Sequence, residues 1–363
     1  MKIRRVKLYA VNVPESKWWW SDDVYGQPEH QRMDHKLVEV ETDQGLTGLT
    51  EINYTEDRIA VRNALGQWVG QDILGINLSR VNAPFPGAFE QAVLDIRGQA
   101  LGVPIWQLLG GRLRDRIPVT QCTGYKTPQH TADQAKWGWE RGFRAYKMKC
   151  ITAAEDTPEK RIRYVVDRVE AIHKALPEMI VRTDIRWRLE EVWVAQELAR
   201  RLQGHKLDCL ESPIRRRSPA TLAEWRRLRE TISFPVGDHV GTSQDLVACF
   251  QGRALDYAIV GSDSALETIR LSRLAQELGM GGWSQTVAYG AGAAMGLHMA
   301  ACMPNLTQPF DMVGPMAWVE MLTNEGFPLA DGSFPVPDRP GLGYTLNREA
   351  VQKYLVNQHV FPA

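Results

Sequence analysis

No run of about 18 apolar residues occurs anywhere in the 363-residue chain, which leaves no stretch able to cross a bilayer as a helix. The amino-terminal MKIRRVKLYAVNV alternates polar and apolar residues like a strand and has no apolar core of a secretory signal, so a cytoplasmic protein with no membrane partner is expected. Cysteine is scarce and scattered. Cys122, Cys150, Cys209, Cys249 and Cys302 are odd in number and form no CxxC pair, which fits reduced, buried thiols better than a disulfide framework. Neither sign of charge is in excess: 43 Lys plus Arg balance 43 Asp plus Glu, and no basic stripe of the kind a nucleic-acid binder presents is found. The short basic run Arg215-Arg216-Arg217 suits a solvated loop leading into a helix.

What is present begins with strands. Residues 3–13 alternate, Leu37–Thr42 (LVEVET) forms a second run, and Asp43-Gln44-Gly45 supplies a turn before Leu46–Glu51, with Gly45 free to take the positive φ of a tight hairpin. The polar segment Glu15–Lys36 is too long for a plain turn. It carries Trp18, Trp19, Trp20 and Tyr25, which need something to bury against, so a lid or a partner contact is expected. Residues 56–109 read as helical, with Phe89, Val93, Ile96 and Leu101 at helical spacing and Gly110-Gly111 closing the segment.

From about residue 118 short apolar runs alternate with amphipathic stretches, the pattern of βαβ units. Strands are expected at Val119–Thr123, Arg144–Lys149, Ile180–Asp184, Leu207–Glu211, Phe234–Asp238, Tyr257–Val260, Gly282–Gln285 and Leu306–Phe310. Eight such units close a barrel, and the missing GxGxxG turn after the first strand argues against an open dinucleotide-binding sheet. The Pro- and Gly-rich tail, with Pro335, Pro337, Pro340, Gly341 and Gly343, is loop-like and ends in a short helix.

In a barrel the active site lies where strands end. Strand two ends in Lys147-Met148-Lys149, and alternation points both lysines one way. Strands three, four and five end in Asp184, Glu211 and Asp238, three carboxylates at one level. Such a cluster would be driven neutral by mutual repulsion unless a cation sits in it, and oxygen donors suit Mg²⁺. A metal on a substrate carboxylate stabilises the enediolate left when the α-proton departs. Lys149, with its pKa depressed by Lys147 and the metal, is placed to be the base.

These residues resemble the enolase superfamily, in its mandelate racemase and muconate lactonizing branch, over nearly the whole chain. The segments that carry the resemblance are Val38–Gly48, Asp95-Ile96 through Gly98, Leu101-Gly102-Val103-Pro104, Leu108-Leu109-Gly110-Gly111 and Pro340-Gly341-Leu342-Gly343. Lys147-Met148-Lys149, Asp184, Glu211-Ser212-Pro213 and Gly237-Asp238 stand where that family keeps its lysines and metal ligands. The resemblance implies an α/β fold: a modified (β/α) barrel over 121–325, an α+β capping domain over 1–120 and a strap over 326–363 returning to the cap. Cap loops with Trp20, Tyr25 and Tyr54, and Gln285 at the barrel mouth, would contact substrate. The family usually assembles as dimers or octamers, so a homo-oligomer is implied.

Departures from the family pattern shape the expected reaction. Gly261 stands where racemase-like members end strand six in Asp, and Ser284-Gln285-Thr286 where they end strand seven in His. The face opposite Lys149 thus lacks its usual acid–base partner. This points to a one-sided reaction, dehydration of an acid sugar by a lyase; the alternatives are a cycloisomerase or epimerase of a sugar acid or lactone, or a metal-binding barrel without turnover. Arg186 replaces the family's Asn and is shaped to hold a second substrate carboxylate, as in an aldarate, or to pair with Glu211 or Asp238. Asp311 is a candidate substrate or acid group or a loop cap, and His239 a candidate acid or a packing residue. His298 reads as a core histidine.

Overall fold

The computed structural model describes residues 1–16, 35–52, 58–215, 218 and 221–362. The chain opens with strands β1 (Ile3–Val11), β2 (His35–Thr42) and β3 (Thr47–Ile52), followed by helices α1 (Arg58–Leu65), α2 (Pro86–Leu101) and α3 (Ile105–Leu108). Alternation along β1 and β2 sorts the residues by face. Val6 lies opposite Val40 and Leu8 opposite Val38 on the buried side, while Arg5 pairs with Glu41 and Lys7 with Glu39 on the other. Those cross-strand ion pairs, 3.0 and 2.9 Å long, hold the register. The apolar side packs on α2 through Phe89, Val93 and Ile96.

Strand β4 (Arg116–Pro118) leads into the barrel, whose staves are β5 (Gln121–Thr123), β6 (Ala145–Lys149), β7 (Ile180–Asp184), β8 (Leu207–Glu211), β9 (Val236–Val240), β10 (Tyr257–Val260) and β11 (Gly281–Trp283). They form one parallel sheet in chain order. The seventh stave continues as β12 (Gln285–Thr286) and pairs with β13 (Asp311–Met312). The bridges Gly282 to Leu306 and Val119 to Phe310 let this last segment join the two edges of the sheet. Helices α4 (Pro128–Glu140), α5 (Pro158–Ala175), α6 (Val192–Arg201), α7 (Leu222–Thr231), α8 (Ser243–Gln251), α9 (Ala265–Glu277) and α10 (Gly290–Cys302) follow the staves in turn. Their starts are local in origin. The hydroxyls of Thr127, Thr157, Thr242 and Ser264 accept a backbone N–H from the first turn of α4, α5, α8 and α9, and α4 and α5 open on proline.

After the four-residue α11 (Gly314–Ala317), the tail supplies β14 (Ser333–Pro335), α12 (Arg348–Tyr354) and β15 (Leu355–Phe361). β15 adds to the outer edge of the cap sheet, giving the order β15-β1-β2-β3. The observed architecture is therefore the expected barrel with a capping domain. β7, β8 and β10 have the expected bounds. The fifth stave runs on past Asp238 to Val240, and the seventh is broken at Ser284.

Cap and tail meet at Asp95. Its buried carboxylate accepts the N–H groups of Leu49 on β3 and Leu342 in the tail, at 2.8 and 2.9 Å. One turn on, Gly98 lets the tail pass: a Cβ there would lie 2.7 Å from the Val103 carbonyl oxygen and 2.8 Å from the Gly341 backbone. Both obstacles are backbone, so Gly98→Ala should destabilise the protein by ~1–3 kcal/mol, read as a lower urea midpoint with an unchanged slope.

Candidate active site

A cavity of about 870 Å³ opens at the carboxyl ends of the staves, beneath the cap. Lys147, Lys149, Asp184, Arg186, His239 and Gln285 line it. Register explains most of this list. Parallel partners face the same side of a sheet, and the partners Lys149–Asp184, Asp184–Glu211 and Glu211–Gly237 run across four adjacent staves. The inward row is thus Lys149, Asp184, Glu211 and Gly237. Asp238 is one residue further on than that row, and His239 lies opposite Ile259, both of which line the cavity. The three expected ligands do not stand at one level. Asp184 and Glu211 are brought together; Asp238 instead accepts from Ser212 Oγ at 2.6 Å and Trp187 Nε1 at 3.2 Å.

Lys147 fills the inward space one layer deeper. Its Nζ lies 2.7 Å from Glu211 Oε1, 2.8 Å from Asp311 Oδ2 and 3.6 Å from Asp184 Oδ2. Burial opposes its charge, but Asp311, Glu211 and Asp184 outweigh burial and hold the amine well above its ordinary pKa. Glu211 is correspondingly held below the usual carboxylate range, where Lys147 and His239 overcome burial. Asp184 is pushed up by burial and by the Glu211 charge. His239 Nε2 lies 3.5 Å from Glu211 Oε1; burial works against its proton, and Glu211 raises its pKa overall.

Lys149 behaves differently from its neighbour. Its pKa is lowered, first by burial and then by Arg186 and Lys147, with Asp184 opposing. The expected direction holds, but burial leads and like-charge repulsion follows. Arg186 Nη1 donates to Tyr125 Oη at 2.9 Å. Arg186 and Trp187 both have positive φ, 57° and 62°, so the chain has left strand geometry there and alternation no longer sets their direction. Ile151 after β6 and Ser212 after β8 share that left-handed conformation, at 65° and 50°. Strain at about 1–3 kcal/mol per residue gathers where substrate would bind. Cross-strand bonds such as Cys150 N–H to Asp184 O and Ser212 N–H to Gly237 O hold it in place.

Asp311 is not a substrate group in this structure. It is fully buried and receives Lys147 Nζ and Arg182 Nη1, each at 2.8 Å, Trp283 Nε1 at 3.0 Å, and the hydroxyl of Thr120. Arg182 in turn donates to Asp208 and lies over the Trp283 ring. Thr120, Arg182, Asp208 and Trp283 were passed over in the sequence. Arg182 was within reach of it, since it alternates with Asp184 on β7. His298 is the buried core histidine expected, with Nε2 donating to the Leu342 carbonyl oxygen at 3.1 Å. Trp20, Tyr25 and Tyr54 lie outside the described residues.

Whether the site suits a cation is decided by its donors. Asp184 and Glu211 offer hard oxygens side by side, and Glu211 Oε2 is buried with no hydrogen-bond partner, an arrangement that fits a divalent ion. Among the described residues, no group of three or more His, Cys, Asp or Glu side chains is already set to hold one. Nor is any helix among them long and apolar enough to cross a membrane.

A capped barrel with a lysine pair facing an acid row is a class of architecture with known relatives. The model of the enolase C-terminal domain-like family matches residues 130–350. The N-succinyl-L-Arg/Lys racemase of Bacillus cereus is 21% identical over 99% of this chain and 100% of its own length. Its crystal structure superposes with a TM-score of 0.82 at 20% identity, covering 99% of this chain and 100% of that one. Muconate cycloisomerase 1 of Rhodococcus opacus is 28% identical over 83% of this chain and 81% of its own. D-gluconate dehydratase of Thermoproteus tenax is 23% identical over 82% and 61%. The chain belongs to the enolase C-terminal domain-like family, in the mandelate racemase and muconate lactonizing branch of the enolase superfamily. These relatives are enzymes: a racemase, a cycloisomerase and a dehydratase.

The Asp311 network gives a direct test. Asp311→Asn would leave Lys147 and Arg182 short of a buried counter-charge, and should cost ~3–5 kcal/mol of stability in urea unfolding. A group kept for substrate instead would change KM and leave stability alone.

Proposed function

We propose that the protein removes the α-proton of a small carboxylate substrate with Lys149 as base, and that a β-hydroxyl then leaves, dehydrating an acid sugar. The observation that carries this reading is the direct pairing of Lys149 with Asp184 on adjacent staves of the cavity. It sets an amine that gives up its proton more readily than a free lysine beside the carboxylates suited to a cation. Lys147 stays charged among Glu211 and Asp311 and is a partner of the base. Mg²⁺ held by Asp184, Glu211 and Asp238 would supply the Lewis acidity that steadies the enediolate, a contribution of several kcal/mol. Asp238 would join from the next stave, where Ser212 and Trp187 now hold its carboxylate. Arg186, with a planar fork at the cavity wall, suits a second carboxylate at the far end of the substrate.

Loss of a β-group is favoured over racemisation by the residues facing β6 across the cavity. The stave ends there carry Gly261 and the Gln285-Thr286 pair, none an acid or base, so the carboxyl groups lining the cavity on that side come from elsewhere and include Glu51 of the cap and Asp263 beyond β10. The name of the dehydratase relative agrees with this class. An isomerase is the second reading, supported by the racemase and cycloisomerase relatives.

The test is incubation of the Mg²⁺-loaded protein with a panel of aldonates and aldarates in D₂O. A 2-keto acid with loss of water supports the lyase. Deuterium entering recovered substrate or its epimer, without a keto acid, supports the isomerase. Silence across the panel counts against both. Lys149→Ala should abolish α-proton exchange while leaving circular dichroism unchanged; near-full exchange would remove Lys149 as the base. Asp184→Asn should weaken Mg²⁺ binding by roughly 10–100-fold in calorimetry, and unchanged affinity would exclude it as a ligand.

A further inference from the structure

Glu51, near the end of β3, reaches out of the cap into the barrel. It is buried, and it lines the cavity beside Val287, Ala288 and Gly292. This is the wall that follows β12, across the cavity from β6. One carboxylate oxygen accepts the Tyr289 N–H at 2.8 Å and the other the Gly292 N–H at 2.9 Å, at the amino terminus of α10. The glycine matters here. A Cβ at residue 292 would lie 2.5 Å from the Ala288 Cβ and 3.3 Å from Glu51 Oε2, crowding the carboxyl group. The cap therefore places a carboxyl group on the very wall where the strand ends carry glycine, glutamine and threonine.

We propose that Glu51 is the acid of the reaction, donating a proton to the departing β-hydroxyl on the side of the cavity away from Lys149. The inference rests on the reading of Lys149 as base. The step balances. Lys149 Nζ takes the α-proton, and the pair from the broken C–H bond becomes the new C=C bond. The β C–O bond breaks, and its oxygen takes the Glu51 proton and leaves as water. Lys149 ends as ammonium and Glu51 as carboxylate, and exchange with solvent resets both.

The position lets Glu51 hold that proton. Burial outweighs the N–H groups of Gly292, Tyr289 and Ala291, and pushes its pKa up to about 7. An acid poised near the working pH is suited to donate. The two carboxyl oxygens have four lone pairs between them; the amides of Tyr289, Ala291 and Gly292 take three, and the fourth carries the proton that is offered to a substrate oxygen. The titratable groups on the elements packed around it include His35, Lys36, Glu39 and Glu41 of β2, Glu90, Asp95 and Arg97 of α2, Tyr289 before α10, and His298 and Cys302 within it. Lys36 is lowered by burial alone, and Tyr289 is raised by burial and then by Glu51, so it remains a neutral phenol. Glu90 grips α9 in a similar way, through Ser264 Oγ at 2.5 Å and Ala265 N–H at 2.8 Å, and provides a control for cap docking.

Two measurements on the full chain test the proposal. In protein labelled with ¹³C at the glutamate carboxyls, one resonance should titrate near neutral pH and vanish in Glu51→Gln. A Glu51 carboxyl ionised from pH 5 upward overturns the idea. With Mg²⁺ and the probes gluconate and galactarate in D₂O, Glu51→Gln should keep deuterium entry at Cα, lose product formation by about 100-fold or more, and lose the alkaline limb of the pH profile. Glu90→Gln, which loosens the cap without removing the acid, should keep that limb. Product formation by Glu51→Gln within about threefold of wild type overturns the proposal. If wild type exchanges no α-proton with either probe, it is the Lys149 reading that fails, and the carboxyl titration alone then decides whether Glu51 carries a proton at neutral pH.

Discussion

The ammonium of Lys147 lies inside the barrel between Glu211 and Asp311, at 2.7 and 2.8 Å, and the arrangement of the site follows from it. A buried ion costs several kcal/mol of lost hydration, which is repaid only by close, fully bonded partners. Asp311 meets that condition by taking Lys147, Arg182, Trp283 and Thr120 together. Arg182 is balanced in turn by Asp208. The floor of the cavity is therefore an alternation of fixed charges. Because Lys147 is committed to it, the layer above is left with one carboxylate held ionised, Glu211, one pushed toward neutrality, Asp184, and one amine, Lys149, that sheds its proton more readily than a free lysine.

Above this floor the chain is held in unfavourable shapes. Ile151, Arg186, Trp187 and Ser212 take left-handed conformations within three residues of stave ends. Trp187 N–H bonds across to Ser212 O, and Ser212 N–H to Gly237 O, so the strained rim is tied from stave to stave. The cap is fastened onto the same rim by carboxylates. Glu51 holds the start of α10 and Glu90 the start of α9, each using the N–H groups that a helix leaves unsatisfied. Rim, helix starts and cap thus share one bonding pattern, in which acidic side chains meet the partial positive charge of exposed amides.

The barrel was legible because its signals are local. Apolar runs, threonine and serine caps and proline at helix starts each act within a few residues, and β7, β8 and β10 fall where those runs lie. The facing of Lys147, Lys149 and Asp184 was legible for the same reason, since alternation on a single strand needs no partner. The one-residue offset of Asp238 from the row of Lys149, Asp184 and Glu211 was not legible, because it depends on how β9 aligns with β8, and that alignment is set by contacts between segments about 25 residues apart in sequence. Asp311 was misread because its role as an anchor comes from Thr120, Lys147, Arg182 and Trp283, which no spacing rule connects.

By itself, then, the sequence determined the kind of fold, the lysine pair and the acids of the third and fourth staves, all of them consequences of a two-residue repeat acting along one strand. Tertiary structure alone decided which charges cancel inside the barrel, that Asp238 sits one residue beyond the acid row while His239 comes up against Glu211, and that Glu51 crosses from the cap to the cavity wall. Each of those outcomes is a matter of register and docking between distant segments. The physical reason is that the direction of a side chain is a local property, whereas the identity of its neighbour is fixed only when two surfaces close on each other and exclude water.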